Sequence, residues 1–167
     1  MVIIGRCGHM GGVCMKNERN FQLRFQCDNQ GKDNEISDLR VEQLVDGEWK
    51  NFELGFQTQG FLIFVYAILN CQHQYLRRTA NERQLQVEAT RGSIEMITNE
   101  GWEMQSLRLR YRVKLRSGEP TADDADHILS GMQMCPVSTN LAHIVSSDTM
   151  LEFELNEEDQ TPQHHAA

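Results

Sequence analysis

Two residues in this chain stand where sulfur chemistry could occur: Cys71, and Cys135 with a proline directly after it. A thiolate can attack an electrophile, become a sulfenic acid and be closed into a disulfide by a second thiol. That chemistry needs both sulfurs in one place and a lowered pKa on at least one of them. The local sequence supplies a reason at Cys135. A residue before proline is pushed out of helical geometry, and proline suits the first position of the helix that follows. Cys135 would then be an N-cap, where free backbone N–H groups and the positive dipole end favour a thiolate. A low-pKa sulfur is also a good leaving group in thiol–disulfide exchange. Against this, free cysteine is among the most buried residue types and usually just packs.

The elements that carry the two cysteines can be read from hydrophobic spacing. Residues Gly60 to Asn81 hold Phe61, Phe64, Val65, Ile68, Cys71, Tyr75 and Leu76 at intervals of three and four. The spacing predicts one helix of about five or six turns, buried all round in its first half. Cys71 continues its buried face, between Ile68 and Tyr75. The stretch Thr121-Ala-Asp-Asp has the character of a capping box, with acids in the first turn of a second helix. Ile128, Met132 and Cys135 share one face of it. Val137 to Val145 reads as a third, short helix. Both thiols should therefore point to where helices pack.

Strands surround these helices in the chain. Phe21, Leu23, Phe25 and Cys27 alternate with polar residues. Leu39 and Val41 belong to a second strand, Asp46-Gly47 to a hairpin turn, and Trp49 to Leu54 to a third strand. Leu85, Val87 and Ala89 begin another. Leu107, Leu109, Tyr111, Val113 and Leu115 alternate strictly with Arg108, Arg110, Arg112, Lys114 and Arg116, giving a core face and a cationic face. Leu151, Phe153 and Leu155 form a last strand. Residues 1–19 read as an N-terminal extension, with Met15 as a possible alternative start, and 20–155 as the domain. Residues 156–167 read as a disordered tail.

Composition restricts the function classes. The 167 residues suit one domain, and 24 acids against 16 bases argue against broad nucleic-acid binding. No signal peptide is evident, and the longest apolar run, Phe61 to Leu69, is too short to span a bilayer. A cytoplasmic protein with five cysteines starting as thiols is expected. Cys7, His9 and Cys14 could suggest a soft metal site, but their spacing fits no standard zinc pattern and a fourth ligand is missing unless Cys27 serves, so no metal and no cofactor are expected. The arginine stripe is expected to pair with carboxylates of neighbouring strands, such as Glu88. His73 is a weak candidate activator, diverging from Cys71 by two helix positions. His127 reads as a helix-surface residue, His143 as packed in the third helix, and His164 and His165 as part of the tail. Tyr75 could line a pocket or simply pack.

Gln59-Gly-Phe-Leu-Ile-Phe-Val-Tyr-Ala-Ile-Leu-Asn-Cys71 resembles the central helix of the osmotically inducible protein C (OsmC) / organic hydroperoxide resistance family. Met134-Cys-Pro-Val-Ser-Thr-Asn-Leu141 resembles that family's second cysteine motif. The separation of the motifs and the order of elements are similar too, over about residues 20–155. The resemblance implies an α+β, OsmC-like fold: antiparallel sheets packed around a long central helix, in an intertwined homodimer with active sites at the subunit interface. It implies thiol-dependent reduction of organic hydroperoxides, with Cys71 as the peroxidatic thiol, Cys135 as the resolving thiol, and a dithiol as reductant. The family's activating pair is an Arg and a Glu. Here the start of the long helix, Thr58-Gln-Gly-Phe-Leu62, holds no acid; Glu53 lies upstream, and Arg24 and Arg40 match the Arg by strand position only. The alternative implied is a non-catalytic OsmC-like dimer that binds a small apolar or thiol ligand at its interface.

Overall fold

The computed structural model describes residues 4–8, 18–141 and 146–154. In chain order these form β1 (Ile4–Gly8), β2 (Arg19–Gln30), β3 (Glu35–Val45), β4 (Glu48–Asn51), α1 (Gly60–Glu82), β5 (Gln86–Thr98), β6 (Met104–Ser117), α2 (Ala122–Gln133), α3 (Pro136–Thr139) and β7 (Ser146–Glu154). The architecture is mixed α+β. The seven strands of the described residues make one sheet in the order β1-β7-β6-β5-β2-β3-β4. This corrects the expectation of antiparallel sheets around a helix: the described strands share one sheet, and β6 pairs with β7 in parallel. A parallel pair cannot be joined by a tight turn. The chain between β6 and β7 must cross a face of the sheet, and α2 and α3 make that crossing.

The alternation read from sequence is the burial pattern observed. Leu23, Phe25 and Cys27 of β2, Ile94 and Met96 of β5, and Leu107, Leu109, Tyr111, Val113 and Leu115 of β6 point inward, together with the buried face of α1. The β3–β4 turn is Asp46-Gly47, both with positive φ, as a two-residue hairpin with right-handed strand twist requires. Two boundaries differ from the sequence reading. Ile4–Gly8, set apart from the domain by that reading, is an edge strand bonded antiparallel to β7. Backbone pairing to an edge needs no hydrophobic period, so composition gave no sign of it. The third helix is the single turn Pro136–Thr139. Residues 142–145, the rest of the N-terminal segment and the expected tail lie outside the described residues. No described helix is long and apolar enough to cross a membrane.

Two anchors fix α1 on the sheet. Near its middle, the Tyr111 hydroxyl on β6 donates to the Leu69 carbonyl at 3.2 Å. Burial pushes that phenol's pKa well above its ordinary value. At its far end, Arg77 donates to the Asn34 carbonyl at 2.8 Å. Asn34 is buried at φ 52°, and its side chain donates to the Leu85 carbonyl while accepting from the Val87 N–H. A left-handed turn is thus tied to both α1 and β5. Helix α2 begins with the expected box: Thr121 Oγ1 accepts from the Asp124 N–H, and the Asp124 carboxylate accepts from the Thr121 N–H. It then lies against α1, where Gly131 leaves room for the Thr79 methyl; a Cβ at residue 131 would overlap it.

Candidate functional site

Cys71 and Cys135 are bonded to each other, with their Cα atoms 6.2 Å apart, inside the range that disulfides span. Each is placed for a local reason. Cys71 sits midway along α1, on the face that continues from Ile68. Cys135 lies between α2 and α3, directly after Met134. It is the N-cap of α3, with Pro136 at the first helical position, as the proline argument requires. Its carbonyl accepts from the Thr139 N–H at 3.0 Å, closing the single turn, and its own N–H donates to Met132 at 3.1 Å. Cys135 is fully buried; Cys71 is half-buried.

The sequence reading missed the polar bridge beside this pair. Gln72, buried on α1, donates from Nε2 to Ser138 Oγ on α3 at 2.9 Å. It ties together the two elements that carry the sulfurs. Its Oε1 is buried and has no hydrogen-bond partner among the described residues. A polar residue next to Cys71 in a buried helix face, and a hydroxyl one turn after Cys135, were the available signals.

The charged residues considered as activators lie elsewhere. Arg24 and Arg40 both bind the Glu42 carboxylate, at 2.6 and 2.8 Å, on the sheet face turned away from the helices. Neither reaches Cys71 within this chain, because β2 and β3 alternate and the inward positions hold Leu23, Phe25 and Val41. Glu53 is exposed and accepts from the Asn51 amide. His73 points to the sheet, its ring 4.7 Å from that of Phe25. Burial first, and the nearby Arg77 charge second, lower its pKa to about 3. It is neutral at ordinary pH and supplies no cation to a thiolate, which removes it as an activator. His127 accepts its expected surface role, 3.2 Å from Glu82. Tyr75 packs against the core.

Cys27 is free and buried, and burial pushes its pKa up to about 11. A thiol held in that form is a poor nucleophile. No cluster of three metal-ligating side chains occurs among the described residues. Cys14, His9, His143, His164 and His165 fall outside them.

The site is therefore a cysteine pair, joined as a disulfide and carried by helices on one face of a mixed sheet. Comparison with solved structures gives the fold. A crystal structure of an OsmC-like hydroperoxide resistance protein from Jannaschia sp. CCS1 matches with a TM-score of 0.51 and 14% identity, over 74% of this chain and 87% of that one. An OsmC-like protein from Mycoplasma pneumoniae matches with a TM-score of 0.47 and 8% identity, over 78% and 94% of the two chains. One of unknown function from Vibrio cholerae matches at 0.43 and 12%, over 85% and 100%. No family model and no curated protein matches the sequence. The chain has an OsmC-like fold.

Proposed function

We propose that the protein reduces organic hydroperoxides with Cys71 as the peroxidatic thiol and Cys135 as the resolving one. The observation that carries this reading is the convergence of these two sulfurs, 64 residues apart in sequence, in a shared site. The name of the Jannaschia neighbour, a hydroperoxide resistance protein, agrees with it.

In this scheme the Cys71 thiolate attacks the terminal peroxide oxygen. The O–O bond breaks and the departing alkoxide takes up a proton to leave as an alcohol. Cys71 is now a sulfenic acid. The Cys135 thiolate attacks its sulfur, water leaves, and the disulfide forms. An external dithiol returns both thiols by two exchange steps. The half-buried position of Cys71 suits the residue that meets substrate; the fully buried Cys135 suits one that meets only Cys71. Gln72 holds α3 on α1 while the bond opens and closes. A reducing, cytoplasmic setting fits a cycle that consumes dithiol.

The same reading includes a homodimer. Leu54, Phe56 and Ile63 are exposed on and just before the start of α1. A second copy would cover these apolar side chains.

One observation favours a second reading. The residues considered as an activating pair, Arg24, Arg40 and Glu53, are engaged with Glu42 and Asn51. The site would then belong to a non-catalytic dimer that binds a small apolar or thiol ligand. The deciding experiment is consumption of cumene hydroperoxide with dithiothreitol. Turnover is expected in the native chain, lost in Cys71→Ser. In Cys135→Ser a sulfenic acid should accumulate on Cys71 and be trapped by dimedone. Unchanged turnover in Cys71→Ser would remove Cys71 from the mechanism. Absence of turnover in the native protein, with a ligand retained in native mass spectrometry, would favour binding alone.

A further inference from the structure

On the outer face of the sheet, away from the cysteines, lies a groove of about 660 Å³. Five arginines from four strands line it: Arg24, Arg40, Arg91, Arg110 and Arg112. Two carboxylates also line it, Glu42 and Glu152. Arg24 and Arg40 share the first, and Arg112 takes the second at 2.8 Å. Arg91 reaches only Glu154, at 3.9 Å. Arg110 has no partner among the described residues. The register explains why. Its cross-strand neighbours are Met150 on β7 and Ser93 on β5, and the residue beyond Ser93 is Arg24. By contrast Arg108, one step along the same face, stands opposite Glu95 and binds it at 3.0 Å.

An excess of guanidinium groups thus collects in one groove of a chain whose net charge is −8. Like charges held together cost free energy unless an anion enters. Guanidinium forks match the oxygens of phosphate in pairs. The spacing sets the size of that anion. Arg110 and Arg112 are two residues apart on one strand, about 7 Å, and Arg110 and Arg24 are two strands apart, about 10 Å. Linked phosphates extend over that spread and offer more oxygens to the guanidinium groups than a single phosphate does.

We propose that this groove is a binding site for a compact polyphosphate anion, with Arg110 as the central contact. The groove and the dithiol lie on opposite faces of the sheet, so the two sites can be tested separately.

Inorganic tripolyphosphate, titrated into the full chain at low salt in a calorimeter, is the test. Saturable one-to-one binding is expected, stronger than that of orthophosphate. Arg110→Gln should weaken it by about tenfold, the loss of one charge-assisted contact. Arg91→Gln should weaken it as well. Arg108→Gln, on the same strand but outside the groove, should leave it unchanged, and thermal unfolding checks that each variant is folded. Absence of saturable binding would overturn the proposal. Equal losses in Arg108→Gln and Arg110→Gln would do so too, since they would signal charge alone. A single-stranded oligonucleotide binding more tightly than tripolyphosphate would replace the proposed ligand with a nucleic acid.

Discussion

Acid should destabilise this protein through His73 before its carboxylates titrate. The imidazole is buried against Phe25, one turn from Arg77, and its Nε2 has no hydrogen-bond partner among the described residues. Its pKa is about 3 in the folded chain, against an ordinary value of 6.5. A depressed folded-state value means that the unfolded chain takes up the proton first. The contribution to stability is therefore complete above pH 6.5 and is lost as pH falls from there toward 3. Each pH unit in that window costs about 1.4 kcal/mol. At pH 5 the folded state still holds neutral imidazole, so the loss depends only on the unfolded value and comes to about 2 kcal/mol. The perturbation is His73→Leu, which removes the titration and keeps an apolar side chain on the helix face. Urea unfolding at pH 7.5, 6.5 and 5 measures both proteins. The native chain should lose about 2 kcal/mol more than the variant between the first and last pH. The two profiles running parallel would refute the reasoning, because His73 would then be protonated in the folded state.

Three further outcomes follow from the same packing. Reduction of the Cys71–Cys135 bond opens a closure of 64 residues, for which loop entropy gives about 4 kcal/mol; a lower unfolding temperature in dithiothreitol, absent in the Cys71→Ser/Cys135→Ser double variant, checks it. Gly131→Ala sets a methyl against Thr79 Cγ2 and should cost about 1–3 kcal/mol despite better helix propensity. Adding Thr79→Ser, which removes the opposing methyl, should restore most of that loss in denaturant unfolding. Asn34→Ala should cost about 3 kcal/mol or more, since it strips two buried hydrogen bonds, to Leu85 and Val87, from the start of β5 and the residue before it, and leaves a side chain at positive φ; equilibrium unfolding reads it directly.

What the sequence determined by itself were the elements and the local geometry at each cysteine. Strict alternation marked β6, because a strand with one buried face can be written no other way. Threefold and fourfold spacing marked α1 from Gly60 to within one residue of its end. Thr121 and Asp124 announced the start of α2, and Cys135-Pro136 its stop and the N-cap that follows. These are signals between residues close in the chain. The tertiary structure decided what depends on distant partners. Ile4–Gly8 became a strand only because β7 offered an unpaired edge. The parallel pairing of β6 with β7 sent α2 and α3 across the sheet to α1, and that crossing is what joined Cys71 to Cys135. Gln72 found Ser138 by the same route. Register across four strands paired Arg108 and left Arg110 without a partner among the described residues, although the two look alike in the sequence. Alternation assigns a side chain to a face, but only the neighbouring strands determine which charges meet there.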